Sequence, residues 1–234
     1  FRAGSVTGTS WDLINLGDNS FAAGLNTNAS GPSSVAMGNA TTASGNYAVS
    51  MGISSTASGN YSVAMGSSTT ASGDYSVAMG LSTTASGDPS VAMGYGSIAS
   101  GFASVAMGFT ATADANYTVA LGNSVSTNGK QGSCIIGDGS TFTVMNATVN
   151  NQFSARFVGG YRLFSNTSLT TGVTLAAGAG SWTSISDKNK KENFNAINTE
   201  EILQKVGALP LSNWNYKSQA ATVRHIGPMA QDFF

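Results

Sequence analysis

The block Val-Ala-Met-Gly returns with its glycine at Gly38, Gly66, Gly80, Gly94 and Gly108, and variant copies place Gly24, Gly52 and Gly122 on the same 14-residue grid. A second block, Ala-Ser-Gly, ends at Gly31, Gly45, Gly59, Gly73, Gly87 and Gly101 with the same period. A fixed period sustained this long means that one small unit is stacked on copies of itself. Fourteen residues cannot hold a helix pair. The β-branched residues and short alternating segments instead describe one coil of two short strands and two turns. Stacked coils of this kind make parallel sheets.

Alternation along a strand sends successive side chains to opposite faces. In the first strand of the coil Val35 and Met37 therefore point one way and Ala36 the other, and Met37, Met51, Met65, Met79, Met93, Met107 and Leu121 form a ladder. In the second strand Ala43, Ala57, Ala71, Ala85, Ala99 and Ala113 share a face with Thr41, Ser55, Thr69, Thr83, Ser97 and Ala111. We expect the methionine ladder to be core, large residues on one wall meeting small ones on the other. The opposite face of the Val-Ala-Met strand, which carries only Ser, Ala and Gly, is then expected to admit another subunit. A bore this narrow buries little per coil, so self-association is the expected supplement.

Charge excludes some partners. Only 9% of residues are charged, and no Lys or Arg occurs between Arg2 and Lys130, a stretch holding Asp12, Asp18, Asp74, Asp88 and Asp114. Nucleic acid and anionic membrane need clustered cations, so neither is an expected partner. No run approaches the ~20 apolar residues of a membrane span, so no membrane insertion is expected in this segment. No charged start followed by an apolar run suggests a leader, and the first residue, Phe1, suggests a piece of a longer product. The one cysteine, Cys134, lies in the apolar run Cys134-Ile135-Ile136 and is expected to be a buried, inert thiol.

The outward residues of the second strand form hydroxyl ladders, Thr42, Thr56, Thr70, Thr84 and Thr112 beside Ser58, Ser72, Ser86 and Ser100. Such an array could bind ice or a glycan, although threonine also favours strands and keeps a surface soluble without charge. Tyr47, Tyr61, Tyr75 and Tyr117 recur near a turn beside Asn46, Asn60, Asp74 and Asp88. Stacked aromatics can hold sugars or simply close the coil edge. A calcium role for the Asp positions is disfavoured, because nonapeptide calcium repeats have a different period.

The Ser-Val-Ala-Met-Gly and Thr-Ala-Ser-Gly blocks resemble the head repeats of the YadA-like trimeric autotransporter adhesins over about residues 15–138, with Met in most copies where that family has Ile. The resemblance implies a left-handed parallel β-roll assembled as a homotrimer. Residues 1–138 are therefore expected to form a trimeric β-roll head. After Gly137 the repeat stops, and Thr141-Phe142-Thr143-Val144, Phe153-Ser154-Ala155-Arg156-Phe157-Val158 and Tyr161-Arg162-Leu163-Phe164 alternate like strands. Residues 139–180 are read as a β-prism-like shaft or connector whose strands need partners beyond their own chain.

From Ser181 the composition changes, and eight of the ten basic residues lie after residue 155. Asn198 as cap, Glu201 in a capping box and an Ile197/Ile202 staple predict a helix that Gly207 and Pro210 end. Residues 181–234 are thus a small α+β unit. Ser186-Asp187-Lys188-Asn189-Lys190-Lys191-Glu192-Asn193-Phe194, then Trp214-Asn215-Tyr216-Lys217, then His225-Ile226-Gly227-Pro228-Met229-Ala230-Gln231-Asp232 resemble the S74 peptidase family, the intramolecular chaperone domain of phage tailspikes and endosialidases. That domain is longer than this stretch, so the chain is expected to end inside it. The resemblance implies assembly of a trimer followed by cleavage of the Ile185/Ser186 bond, with Ser186 as nucleophile and Lys191 as general base. A serine hydroxyl needs an adjacent base, and a lysine serves if burial or neighbouring cations, here Lys188 and Lys190, lower its pKa. Residues five apart sit about 140° apart on an ideal helix, so the pair would need an irregular turn or a second subunit. His225 is expected to make structural hydrogen bonds. No metal cluster, phosphate loop or cofactor motif stands out, so no cofactor is expected.

Together with what the two resemblances imply, these features lead us to expect a mainly β protein, a trimeric extracellular fibre of a virion tail or bacterial surface, with a C-terminal chaperone and at most single-turnover autoproteolysis. A cell-surface glycan or protein is the receptor class expected for it. Two other readings compete, a self-cleaving peptidase for which the fibre is cargo and a glycan- or ice-binding solenoid.

Overall fold

The computed structural model describes residues 1–9, 11, 15–184, 191–229 and 231. Strands dominate, and two parallel sheets of eleven and nine strands face each other across a flattened coil. The larger sheet runs from Arg2–Ser5 to Phe153–Arg156 and takes the Val-Ala-Met strand of every coil, Val35–Asn39, Val49–Ile53, Val63–Ser67 and onward. The smaller sheet stacks the two-residue strands Asn28–Ala29, Thr42–Ala43, Thr56–Ala57 and their successors through Met145–Asn146. Pairing keeps the sequence grid, Val77 opposite Val63 and Val91, Met79 opposite Met65 and Met93, Thr84 opposite Thr70. The chain is a parallel β-solenoid of 14-residue coils, as the repeat predicts.

Glycine is required where coils touch through their backbones. At Gly66 φ is +134°, and an added Cβ would sit 2.0 Å from the carbonyl oxygen of Gly80 in the next coil. The other corner is less forgiving in appearance, since Tyr47, Tyr61 and Tyr75 adopt left-handed backbone with φ of 57°, 57° and 58°. Corner serines clamp it from inside, Ser62 Oγ donating to the Gly59 carbonyl and Ser76 Oγ to that of Gly73, both at 2.6 Å.

The interior reverses one expectation. Ala36, Ala64, Ala78, Ala92, Ala106 and Ala120 have no exposed surface, and they meet the equally buried Ala43, Ala57, Ala71, Ala85, Ala99 and Ala113. Thr27, Ser34, Thr41, Ser55, Ser62 and Thr69 fill the remaining space. The methionine ladder faces outward and is half-buried against its own neighbours. Sheets carrying large side chains pack about 10 Å apart. Two tight corners per 14 residues hold these walls closer, so only the small side chains of Ala, Ser and Thr fit between them. The Ser/Ala face expected to receive another subunit is the core itself.

Pairing does not stop where the motif does. Cys134–Gly137 pairs with Val119–Asn123 and, on its other side, with Phe153–Arg156. These last coils are longer, Cys134 lying opposite Phe153 and Val125 opposite Met145. Longer coils have a wider bore, and here the largest fully buried side chains appear, Ile135 and Val125. A three-stranded sheet of Gly160–Phe164, Gly172–Ala176 and Thr183–Ser184 follows. The chain divides into two compact units, one of Phe1–Phe164 with Val173–Thr183, the other of Ser165–Gly172 with Ser184–Phe234.

In the second unit a helix spans Thr199–Gly207, and Asn198 caps it by accepting from the backbone N–H groups of Glu200 and Glu201. Glu201 and Lys205 form an i,i+4 ion pair at 2.7 Å. Ser212–Trp214 and His225–Gly227 make an antiparallel ribbon with Trp214 opposite His225.

Candidate functional site

The outward side of the eleven-stranded sheet is the most unusual surface of the solenoid. One ladder reads Phe21, Val35, Val49, Val63, Val77, Val91, Val105, Val119, Cys134, Phe153, and Phe1 stacks on Phe21 at 5.2 Å. Beside it runs Ala3, Ala23, Met37, Met51, Met65, Met79, Met93, Met107, Leu121, Ile136, Ala155. No charged or hydroxyl side chain interrupts either ladder. Parallel pairing in a constant register brings this about, because every coil repeats the same alternation. Contiguous exposed apolar surface of this extent marks an interaction site. Cys134 belongs to this face and is partly exposed, so the expectation of a buried thiol is corrected. Residue Val119 before it is outward, and a one-residue lengthening of the coil keeps Cys134 in the same ladder.

The smaller sheet presents the opposite character. Thr42, Thr56, Thr70, Thr84 and Thr112 are half-exposed and stack through the pairing of their strands, with Ile98 as the one break. At the corner Tyr47, Tyr61 and Tyr75 form a continuous stack with centroids 4.9 and 5.0 Å apart and rings within 8° of parallel. Beside them the Asn/Asp positions cap backbone, the Asn60 amide donating to Asp74 Oδ1 at 2.7 Å and the Asn46 amide to Asn60 Oδ1 at 3.2 Å. These carboxamides and carboxylates are thus committed to holding adjacent coils together.

Where the solenoid ends, Asp138 and Arg156 tie the last strands. Asp138 accepts from the Ser140 hydroxyl at 2.6 Å, the Val158 amide at 2.7 Å and Arg156 Nε at 3.4 Å. The Ser140 hydroxyl, then the Val158 amide, hold its carboxyl below the usual range, at about 2. Arg156 also donates to the carbonyls of Thr143 and Asn123 at 2.8 and 3.0 Å. Nothing in the motif grammar pointed to this pair, since it follows the last repeat.

Ser186, with Lys188 and Lys190, lies outside the described residues, so the geometry of the expected nucleophile and base is not among them. Lys191 is described and exposed. His225 has the structural setting expected of it, its Nε2 lying 2.9 Å from Gln219 Oε1 and its ring stacked 4.7 Å from Trp214. Among the described residues no group of three or more His, Cys, Asp or Glu side chains could hold a metal ion, and no helix is long and apolar enough to cross a membrane.

The fold and the two faces define a class, the parallel β-solenoid with an alanine bore and an apolar outer wall. Within it residues 16–41, 43–69, 71–97 and 99–124 match the YadA head domain repeat, and residues 186–234 match Peptidase S74, the chaperone of endosialidase. Comparison with curated proteins gave no match. The two family matches support a trimeric adhesin-like or tail-fibre-like protein.

Proposed function

We propose that this chain is one strand of a parallel homotrimeric fibre, extracellular on a virion tail or a bacterial surface, and that its C-terminal segment drives assembly of the trimer. The observation that carries the reading is the unbroken outward ladder from Phe21 to Phe153 with its methionine neighbour. A partner covering it must match its coil-by-coil spacing along the whole length, and a parallel copy of the same chain does so by construction. The hydroxyl and tyrosine ladders then remain for solvent and receptor. Their chemistry suits a polar, hydrogen-bonding ligand, a cell-surface glycan or protein. Light scattering on the 23.6 kDa chain is expected to give three times that mass, and a stable monomer at micromolar concentration overturns the reading.

The Peptidase S74 match supports a further step at residues 186–234. In it the Ser186 hydroxyl attacks the Ile185 carbonyl while Lys191 takes the proton, an acyl link forms as the peptide bond breaks, and water releases a fragment beginning at Ser186. One turnover per chain distinguishes this from a peptidase acting on added substrate.

A further inference from the structure

Just beyond the solenoid the apolar ladders run into a crevice of about 500 Å³ lined by Phe153, Ala155, Phe157, Tyr161, Leu163, Leu175 and Trp182. It belongs to one compact unit and lies outside both family matches. Its walls come from two sheets. Phe153 and Ala155 are the last rungs of the two outward ladders, while Tyr161, Leu163 and Leu175 stand on the three-stranded sheet. Tyr161 holds the corner, its ring 5.6 Å from Phe157 and 6.2 Å from Trp182, its hydroxyl donating to the Ala155 carbonyl. The apolar side chains stay open to solvent, Phe153 at 68%, Leu163 at 59% and Trp182 at 50%.

We propose that this crevice is a docking surface for further copies of this chain, filled in the assembly by apolar side chains of the neighbouring copies. The inference rests on the trimer reading and adds a site to it. Two arguments select a second copy as the occupant. The first is continuity, because Phe153 and Ala155 are at once ladder and crevice wall. Any body lying along the ladders comes over the crevice mouth. The second is area. Eleven strands at about 4.8 Å spacing make a stripe roughly 48 Å long, and two ladders make it about 10 Å wide, so it offers roughly 500 Å². A stable interface covers about 800 Å² on each partner. A chain in a trimer faces two partners, so the stripe alone falls short, and the exposed apolar walls of the crevice extend it.

The test uses the whole chain and two single variants, Leu163→Gln and Trp182→Gln. Both side chains are half-exposed or more in the single chain, so circular dichroism is expected to show an unchanged solenoid. Dilution followed by light scattering is expected to show the variants dissociating at concentrations about tenfold or more above the parent. Thr70→Gln, on the opposite sheet, is expected to leave dissociation unchanged. A trimeric parent whose two crevice variants dissociate like it overturns this inference while leaving the trimer reading in place. So does a trimer that binds an apolar dye in a Trp182-dependent manner, since the crevice then stays open in the assembly and takes a small apolar ligand. A monomeric parent overturns the trimer reading, and the inference with it.

Discussion

Ala78 has no exposed surface inside the coil, whereas its neighbour Met79 leans outward, half-buried, on the opposite side of the same strand. Substitutions at these two positions should therefore fail in different ways. Ala78→Leu forces three extra carbons into a bore with no space for them and is expected to cost about 1–3 kcal/mol, read as a lower denaturation midpoint at any protein concentration. Met79→Asp keeps the bore intact and is expected to leave the single chain folded while abolishing association, read by light scattering. If Met79→Asp unfolds the chain and Ala78→Leu is silent, the two faces have been exchanged. Alternation in the sequence shows that Val35 and Met37 share a face, yet it cannot say which face is inside. Hydropathy favours the larger residues, and the deciding quantity is the width between walls, which corner geometry sets.

Among the elements, the coil and its register were legible because a rigid period leaves one way to stack. The helix Thr199–Gly207 was legible from its cap, and Asn198→Ala, which removes the acceptor for two backbone amides, is expected to cost about 1 kcal/mol of helix stability, measurable by circular dichroism. The last coils were harder to see. Once the insertions before Cys134 and Phe153 break the period, nothing in the residues announces that Phe153–Arg156 still joins the large sheet. Asp138 secures that junction. Its folded pKa is depressed to about 2, so its contribution is complete above the ordinary carboxylate value near 4. It is lost as pH falls through about 2. Acid titration is expected to show a step in Trp182 fluorescence in that window, and Asp138→Asn should remove the step. A step that persists in Asp138→Asn would assign it to another group.

At the scale of the molecule, composition and repeat led to a fibre, and the three ordered motifs after residue 185 led to a chaperone segment. The arrangement of Ser186 and Lys191 was not legible, because residues five apart share no face of a regular helix and spacing alone does not bring them together. Mass spectrometry of the full protein is expected to show a fragment beginning at Ser186. Ser186→Ala or Lys191→Ala should abolish it without changing the mass of the assembly. Cutting that continues in Ser186→Ala would reassign the nucleophile. The constancy of the 14-residue grid carries one more consequence. In the proposed trimer, neighbouring chains carrying identical rungs resemble two lengths of the same ruler. Sliding one along the other by a single graduation, about 4.8 Å, sets valine against valine and methionine against methionine again. Between Val35 and Val119 the valine ladder by itself does not distinguish the true alignment from its displaced copies. In the proposed trimer the aromatic residues after the last graduation, which occur once, would act as the end stop against which the measure is taken, and whole graduations could be gained or lost above them without disturbing the fit.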